Sequence, residues 1–155
     1  MATYFNPLHP SLDMTHPDVC SYVNDYLHYA AVIQGRSLQT AFNYYVDLKE
    51  FFSYLCEARG LSTPEAAYDQ TAIDLPFLEK ITTSEVYEFL YMLQRQKGCK
   101  ATTRNRKLSA LRGFFRYMTV SVHLLAADPT AGIDNAKKAR TLPKYLSEEQ
   151  SVELL

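Results

Sequence analysis

Tryptophan is missing from the chain, glycine is held to five residues, and the three cysteines, Cys20, Cys56 and Cys99, form no C-x-x-C pair. An odd number without that spacing excludes a disulfide framework and a zinc site, and reads as core thiols of a cytoplasmic protein. No apolar run approaches the roughly 18 residues of a membrane span, and the N-terminus lacks the charged-then-apolar pattern of a secretory signal. A soluble protein with no membrane partner is expected. His9, His16, His28 and His123 are scattered without ligand spacing to one another or to cysteine, so no metal is expected. A glycine-rich phosphate loop is absent, and no serine or cysteine comes with an evident base. Glu148 and Glu149 read as first-turn acids of a helix start rather than a catalytic pair. These gaps argue against an enzyme in its own right, a cofactor or a small-molecule ligand. Repeats, low-complexity segments and strand-like alternation are missing too, which leaves an all-α fold of four to five helices.

What is present is a core and a lopsided charge. Hydrophobic residues make up 47% of the chain, enough to bury a proper core and to exclude disorder. The net charge of −1 hides a split: residues 1–99 hold six Lys/Arg against twelve Asp/Glu, and residues 100–155 hold ten against five. Such asymmetry points to one side that faces a polyanion. Its centre is the stretch 100–118, with six Lys/Arg and no acid. At about 100° per residue, Leu108, Leu111, Phe115, Met118 and Val122 form one apolar stripe. Thr102, Asn105, Arg106, Ser109, Arg112, Gly113 and Arg116 fall opposite. Guanidinium, amide and hydroxyl groups on one helical face suit phosphates and base edges, and Gly113 is expected to admit a bulky partner.

The other helices follow from local signals. Pro17 is placed in the first turn of a helix that carries Val19, Tyr22, Val23, Tyr26, Leu27, Ala30 and Ala31 inward and ends before Gly35. Ser37 is the N-cap of a second helix, closed by Gly60, whose stripe is Leu38, Ala41, Tyr45, Leu48, Phe52 and Leu55, with Phe42 and Phe51 at its margins. Its outer face runs Gln39, Thr40, Asn43, Asp47, Glu50, so only its N-terminal half suits a polyanion. Residues 61–77 read as a connection holding at most a short turn. Thr82 and Glu85 make a capping box for a third helix that stops at Gly98. The organisation expected is a lead-in over 1–16, a helical domain over 17–125, a linker over 126–146, and a new helix start over 147–155 that opens a further domain.

Three groups of residues occur in a telling order: Thr40, Tyr44, Asp47, Leu48 and Phe51; then Ile81, Thr82, Glu85, Val86, Phe89 and Leu90; then the run from Thr103 to Leu111 with Arg112, Phe114 and Phe115. Asp128-Pro129, Leu142-Pro143, Leu146-Ser147, Glu149 and Leu154-Leu155 follow. Over roughly residues 18–155 the chain resembles the N-terminal, SAM-like core-binding domain of tyrosine recombinases of the phage integrase family, with the linker and the truncated start of the catalytic domain. It departs from that pattern in Asp128-Pro129, where Asn-Pro is usual, and in a long 61–77 connection. The resemblance implies a small helical bundle gripping one side of double-stranded DNA at an attachment or recombination site. It also implies a fragment that cuts nothing, since no position here matches the family's catalytic residues, and neighbouring recombinase protomers as partners, met through the first helix.

The roles implied are these. Ser37 and Thr40 meet phosphate with the amides of the second helix's first turn, and Asn43 reaches a base edge. Thr102 and Arg106 face the groove, with Arg106 the bidentate donor to guanine. Arg112 and Arg116 meet phosphate, as do Lys100 and the basic group Lys137, Lys138, Arg140 and Lys144. Arg104 and Lys107 lie nearer the apolar stripe and pack their stems. A stand-alone DNA-binding regulator and a helical protein-interaction module are the other classes these residues fit.

Overall fold

The computed structural model describes residues 15–135, which form helices and loops with no strand among them. The start of the lead-in, the 137–144 basic group and the helix start at 147–155 lie outside the described residues. The described residues hold five α-helices in the order α1 Ser21–Val32, α2 Leu38–Ala58, α3 Leu75–Glu79, α4 Thr83–Lys97 and α5 Ala101–Arg116. Among the described residues no helix is long and apolar enough to cross a membrane.

Local chemistry sets most of the ends. The Ser37 hydroxyl accepts from Thr40 N–H at 3.0 Å and opens α2. Thr82 and Glu85 complete the expected capping box on α4, which stops at Gly98 with φ of 62°. Helix α1 departs from expectation. Pro17 lies in a turn ahead of it, and the helix begins at Ser21. The cause is tertiary: the Asp18 carboxylate accepts from Tyr45 Oη at 2.6 Å and Lys49 Nζ at 2.5 Å, tying the turn to α2. The buried Asn24 side chain then binds both backbone groups of His16, whose ring stacks on Tyr45. Within 61–77 a 3-10 turn at Gln70–Ala72 is followed by α3, capped by Asp74 on Phe77 N–H.

Helix α2 runs through the middle. Its Leu48, Phe51, Phe52 and Leu55 are fully buried against Val23 and Leu27 of α1, Val86 and Phe89 of α4, and Leu111, Phe114 and Phe115 of α5. Phe51 is thus central rather than marginal, and Phe42 stands 39% exposed. The phenylalanines meet edge to face, Phe51 on Phe89 at 5.2 Å and Phe52 on Phe114 at 5.9 Å between centroids. Each such pair adds about 0.5–1.5 kcal/mol beyond its buried area. A bidentate pair between Arg59 and Glu85, both contacts 2.9 Å, joins the end of α2 to the start of α4.

Helix α5 ends at Arg116 and a π turn continues it over Tyr117–Ser121. Val122 N–H bonds Tyr117 C=O five residues back, and the wider turn leaves Val122 exposed instead of on the buried stripe. The chain then folds back: Leu125 and Ile133 are buried, and Thr83 Oγ1 donates to Pro129 C=O at 2.8 Å.

Gly113 also departs from expectation. A Cβ on it would lie 2.1 Å from Oη of Tyr26, a residue 2% exposed on α1. The bulky group it admits is the protein's own tyrosine. Were the site open, Gly113→Ala would stabilise the helix by about 1 kcal/mol. Overpacking predicts the opposite sign, a loss of about 1–3 kcal/mol. Tyr26→Phe, which removes the hydroxyl, should recover most of that loss in the double variant, as read by thermal and urea denaturation.

Candidate functional site

The basic face of α5 meets α2 at a cluster of five charges. On α2, Thr40, Asn43, Asp47 and Glu50 recur at three- and four-residue spacing and so share one stripe. Arg106 Nη1 donates to Asp47 Oδ2 at 2.7 Å and Lys107 Nζ to Asp47 Oδ1 at 3.1 Å. Lys107 also reaches Glu50 Oε1 at 2.6 Å, and Lys97, from the end of α4, reaches Glu50 Oε2 at 2.8 Å. Every carboxylate oxygen of the pair therefore meets one cation. The side chains grade outward, from Asp47 at 1% exposure through Lys107 at 11% to Arg106 at 48%.

Asp47 was expected on a solvated outer face; it is buried. A carboxylate there is tolerable because the buried Lys107 ammonium pairs with it, and Arg106 takes its second oxygen. Burial alone would push the Lys107 ammonium down, but Glu50 and Asp47 outweigh it and hold its pKa above the ordinary lysine value. Burial would raise Glu50, and Lys107 and Lys97 instead hold it below the ordinary carboxylate range. Glu85 is lowered in the same way, burial being outweighed by Arg59 and the Thr82 N–H. Asp18 follows the pattern through Lys49 and Tyr45.

Thr102 is exposed one turn before Arg106, and Lys100, in extended conformation, holds the N-cap position. Thr40 and Asn43 lie on the turns of α2 that precede Asp47, so the Arg106–Asp47 contact brings the N-terminal halves of α2 and α5 together. The Ser37 oxygen is engaged with Thr40, and Asn43 Oδ1 accepts from Gln39 at 3.3 Å. Arg112 lies apart from this junction. Its guanidinium donates to Ile133 C=O and, at 2.5 Å, to Asn135 Oδ1. Arg116 is exposed at the end of α5, about 15 Å beyond Arg106. Arg104 is half-buried with Nη1 on Cys99 C=O at 2.5 Å, and Lys107 is buried, as their places beside the apolar stripe led one to expect. Sequence reasoning missed Asp47 and Glu50 as partners of the basic helix. The only signal was an acid pair three residues apart on α2 and, on α5, Arg106 on the polar face next in sequence to Lys107 beside the stripe.

The chain matches the family described as phage integrase, N-terminal SAM-like domain, over residues 23–120. It is 26% identical over 136 residues to tyrosine recombinase XerC of Caldanaerobacter subterraneus, covering 86% of this chain and 38% of that protein. To tyrosine recombinase XerD of Rhizobium meliloti it is 33% identical, covering 87% and 38% of the two chains. To tyrosine recombinase XerD of Listeria monocytogenes it is 32% identical, covering 86% and 39%. The chain thus spans less than two fifths of the length of these relatives. No solved structure matches it.

Removing the buried carboxylate tests the cluster. Asp47→Ala leaves Lys107 to Glu50 and Arg106 to water, so it should destabilise by about 2 kcal/mol, less than the ~3–5 of a fully buried pair, because Arg106 is half in solvent. Equilibrium urea unfolding measures it. Acid should act on this cluster through Glu50 and on the ion pairs of Glu85 and Asp18. Glu50, Glu85 and Asp18 titrate below their ordinary values when folded, so their stabilisation is present above those values and is lost as pH falls through the folded ones. Tm should hold level down to about pH 5 and drop below pH 4.5, the ordinary glutamate value. Glu50→Gln should make that drop shallower.

Proposed function

The chain belongs to the family of phage integrase N-terminal SAM-like domains, and on that premise we propose that it is the DNA-binding core-binding domain of a site-specific tyrosine recombinase. It grips one side of the duplex at the recombination site, and cutting and rejoining belong to the catalytic domain of the parent enzyme. Residues 17–125 serve as the gripping domain, 126–146 as the linker, and 147–155 as the first residues of the catalytic domain, with 1–16 a lead-in. The protein works in the cytoplasm, where the DNA is.

The observation that carries this reading is Arg106, half-exposed beside Thr102 and held at the junction with α2 by Asp47. An arginine with an anchored guanidinium on a face of hydroxyl and amide groups suits a base edge better than a generic solvated cation does. Ser37, Thr40 and the first-turn amides of α2 meet phosphate, and Asn43 meets a base edge. Lys100 and Arg116 neutralise phosphates, and Arg112 does so with the donors it keeps beyond Ile133 and Asn135. Neighbouring protomers are the second partner, met through α1, at whose end Val32 and Ile33 stand 63% and 69% exposed.

With about four to six phosphates neutralised, log K should fall with log salt at a slope of roughly −4 to −5. A fluorescence-anisotropy titration on a short duplex measures it, and a flat response would point to a protein-interaction module instead. On duplexes selected from a random pool, Arg106→Ala should weaken binding by about 1–3 kcal/mol while hardly affecting scrambled DNA. Arg116→Ala should weaken both alike and lower the slope by about one. Equal losses on both DNAs for Arg106→Ala would mean that sequence is read elsewhere.

A further inference from the structure

Beyond the family role, we propose that Asp47 is a positioning residue for sequence reading: it aims the Arg106 guanidinium while Lys107 keeps its own negative charge from repelling the duplex. The proposal rests on the DNA-binding reading given above. Asp47 is 1% exposed on the helix that forms the centre of the core, so its carboxylate is a fixed point. One oxygen takes Lys107 and the other takes Arg106. Lys107 also bridges to Glu50, and Glu50 to Lys97. Three cations and two carboxylates sum to +1, and Arg106 is one of the two cations that reach the surface, at 48% exposure.

Stability alone gives little reason for the Arg106 contact. A half-exposed ion pair contributes little once solvent screens it, and Lys107 already neutralises the buried carboxylate. What the contact does is restrict a long side chain. Arginine carries five N–H donors in a planar fork, and Asp47 engages one nitrogen, Nη1. With the fork anchored there, the entropy of fixing it is lost on folding rather than on binding, which favours a bidentate contact at one defined place. A lone carboxylate so close to the interface would weaken binding to any DNA. Paired with Lys107, it constrains direction without that penalty.

The test uses the whole chain. A duplex enriched by the wild-type protein from a random-sequence pool is compared with its scrambled version at one salt concentration. Four proteins are measured: wild type, Asp47→Asn, Arg106→Ala and the double variant. Asp47→Asn should lower the selected-to-scrambled affinity ratio about tenfold, within the discrimination of one bidentate pair, while binding to scrambled DNA holds or tightens. In the Arg106→Ala background, Asp47→Asn should leave the ratio unchanged. A purely structural role would lower both affinities together and leave the ratio alone, and that outcome overturns the proposal, as does a ratio equal to wild type. Should Asp47→Asn not fold, Arg106→Lys decides. It keeps the charge and the reach to Asp47 but not the fork, so the ratio should fall with scrambled binding retained, and a retained ratio overturns the proposal. If the wild-type protein enriches no sequence, the DNA-reading premise itself fails, a result distinct from those of the variants.

Discussion

A carboxylate shut away from water at Asp47 constrains more of this molecule than any other group. Left unpaired it would be costly to bury, so α5 must deliver a cation to that one spot on α2. Arg106 and Lys107 can do so only in one rotational setting of α5, because a slip of one residue turns the helix by about 100° and carries both away. The same setting puts Leu108, Leu111 and Phe115 into the core. Polar pairing and apolar packing therefore specify a single arrangement of the two helices, and Lys97 extends it to the end of α4 through Glu50.

The two halves of α5 then have different neighbours. At Gly113 its surface is closed by Tyr26 of α1, and Arg112 is engaged with the returning chain. The half from Thr102 to Ser109 keeps its polar face beside the N-terminal half of α2. The polar face of the basic helix that lies nearest the uncharged donors of α2 is thus its first half, and Asp47 and Glu50, the acids of α2 that meet it, are both paired.

How much of this was legible in the sequence depended on distance along the chain. Ser37 with Thr40, Thr82 with Glu85, and the closing glycines Gly60 and Gly98 act within one turn, and those helix ends were readable. The all-α class and the apolar stripes of α2, α4 and α5 followed from periodicity. Features decided by contacts far apart in sequence were not. Asp47 looked like a solvated acid because its partners lie some 60 residues away. Gly113 looked like an opening because Tyr26 belongs to another helix. The start of α1 slipped past Pro17 because Asp18 is claimed by α2, and five-residue α3 was too short to show a period. Within the candidate site, residue types and faces were legible, whereas the anchoring of Arg106 and the engagement of Arg112 were not.

The chain that leaves the bundle is fastened twice, by Thr83 at Pro129 and by Arg112 at Ile133 and Asn135. Arg112 and Arg106 are six residues apart on one helix, about 9 Å of stiff rod. The last described residues are therefore held on the same helix that carries Arg106, with no loop between the two contacts. The fastening of the returning chain and the arginine anchored on Asp47 thus belong to one helix.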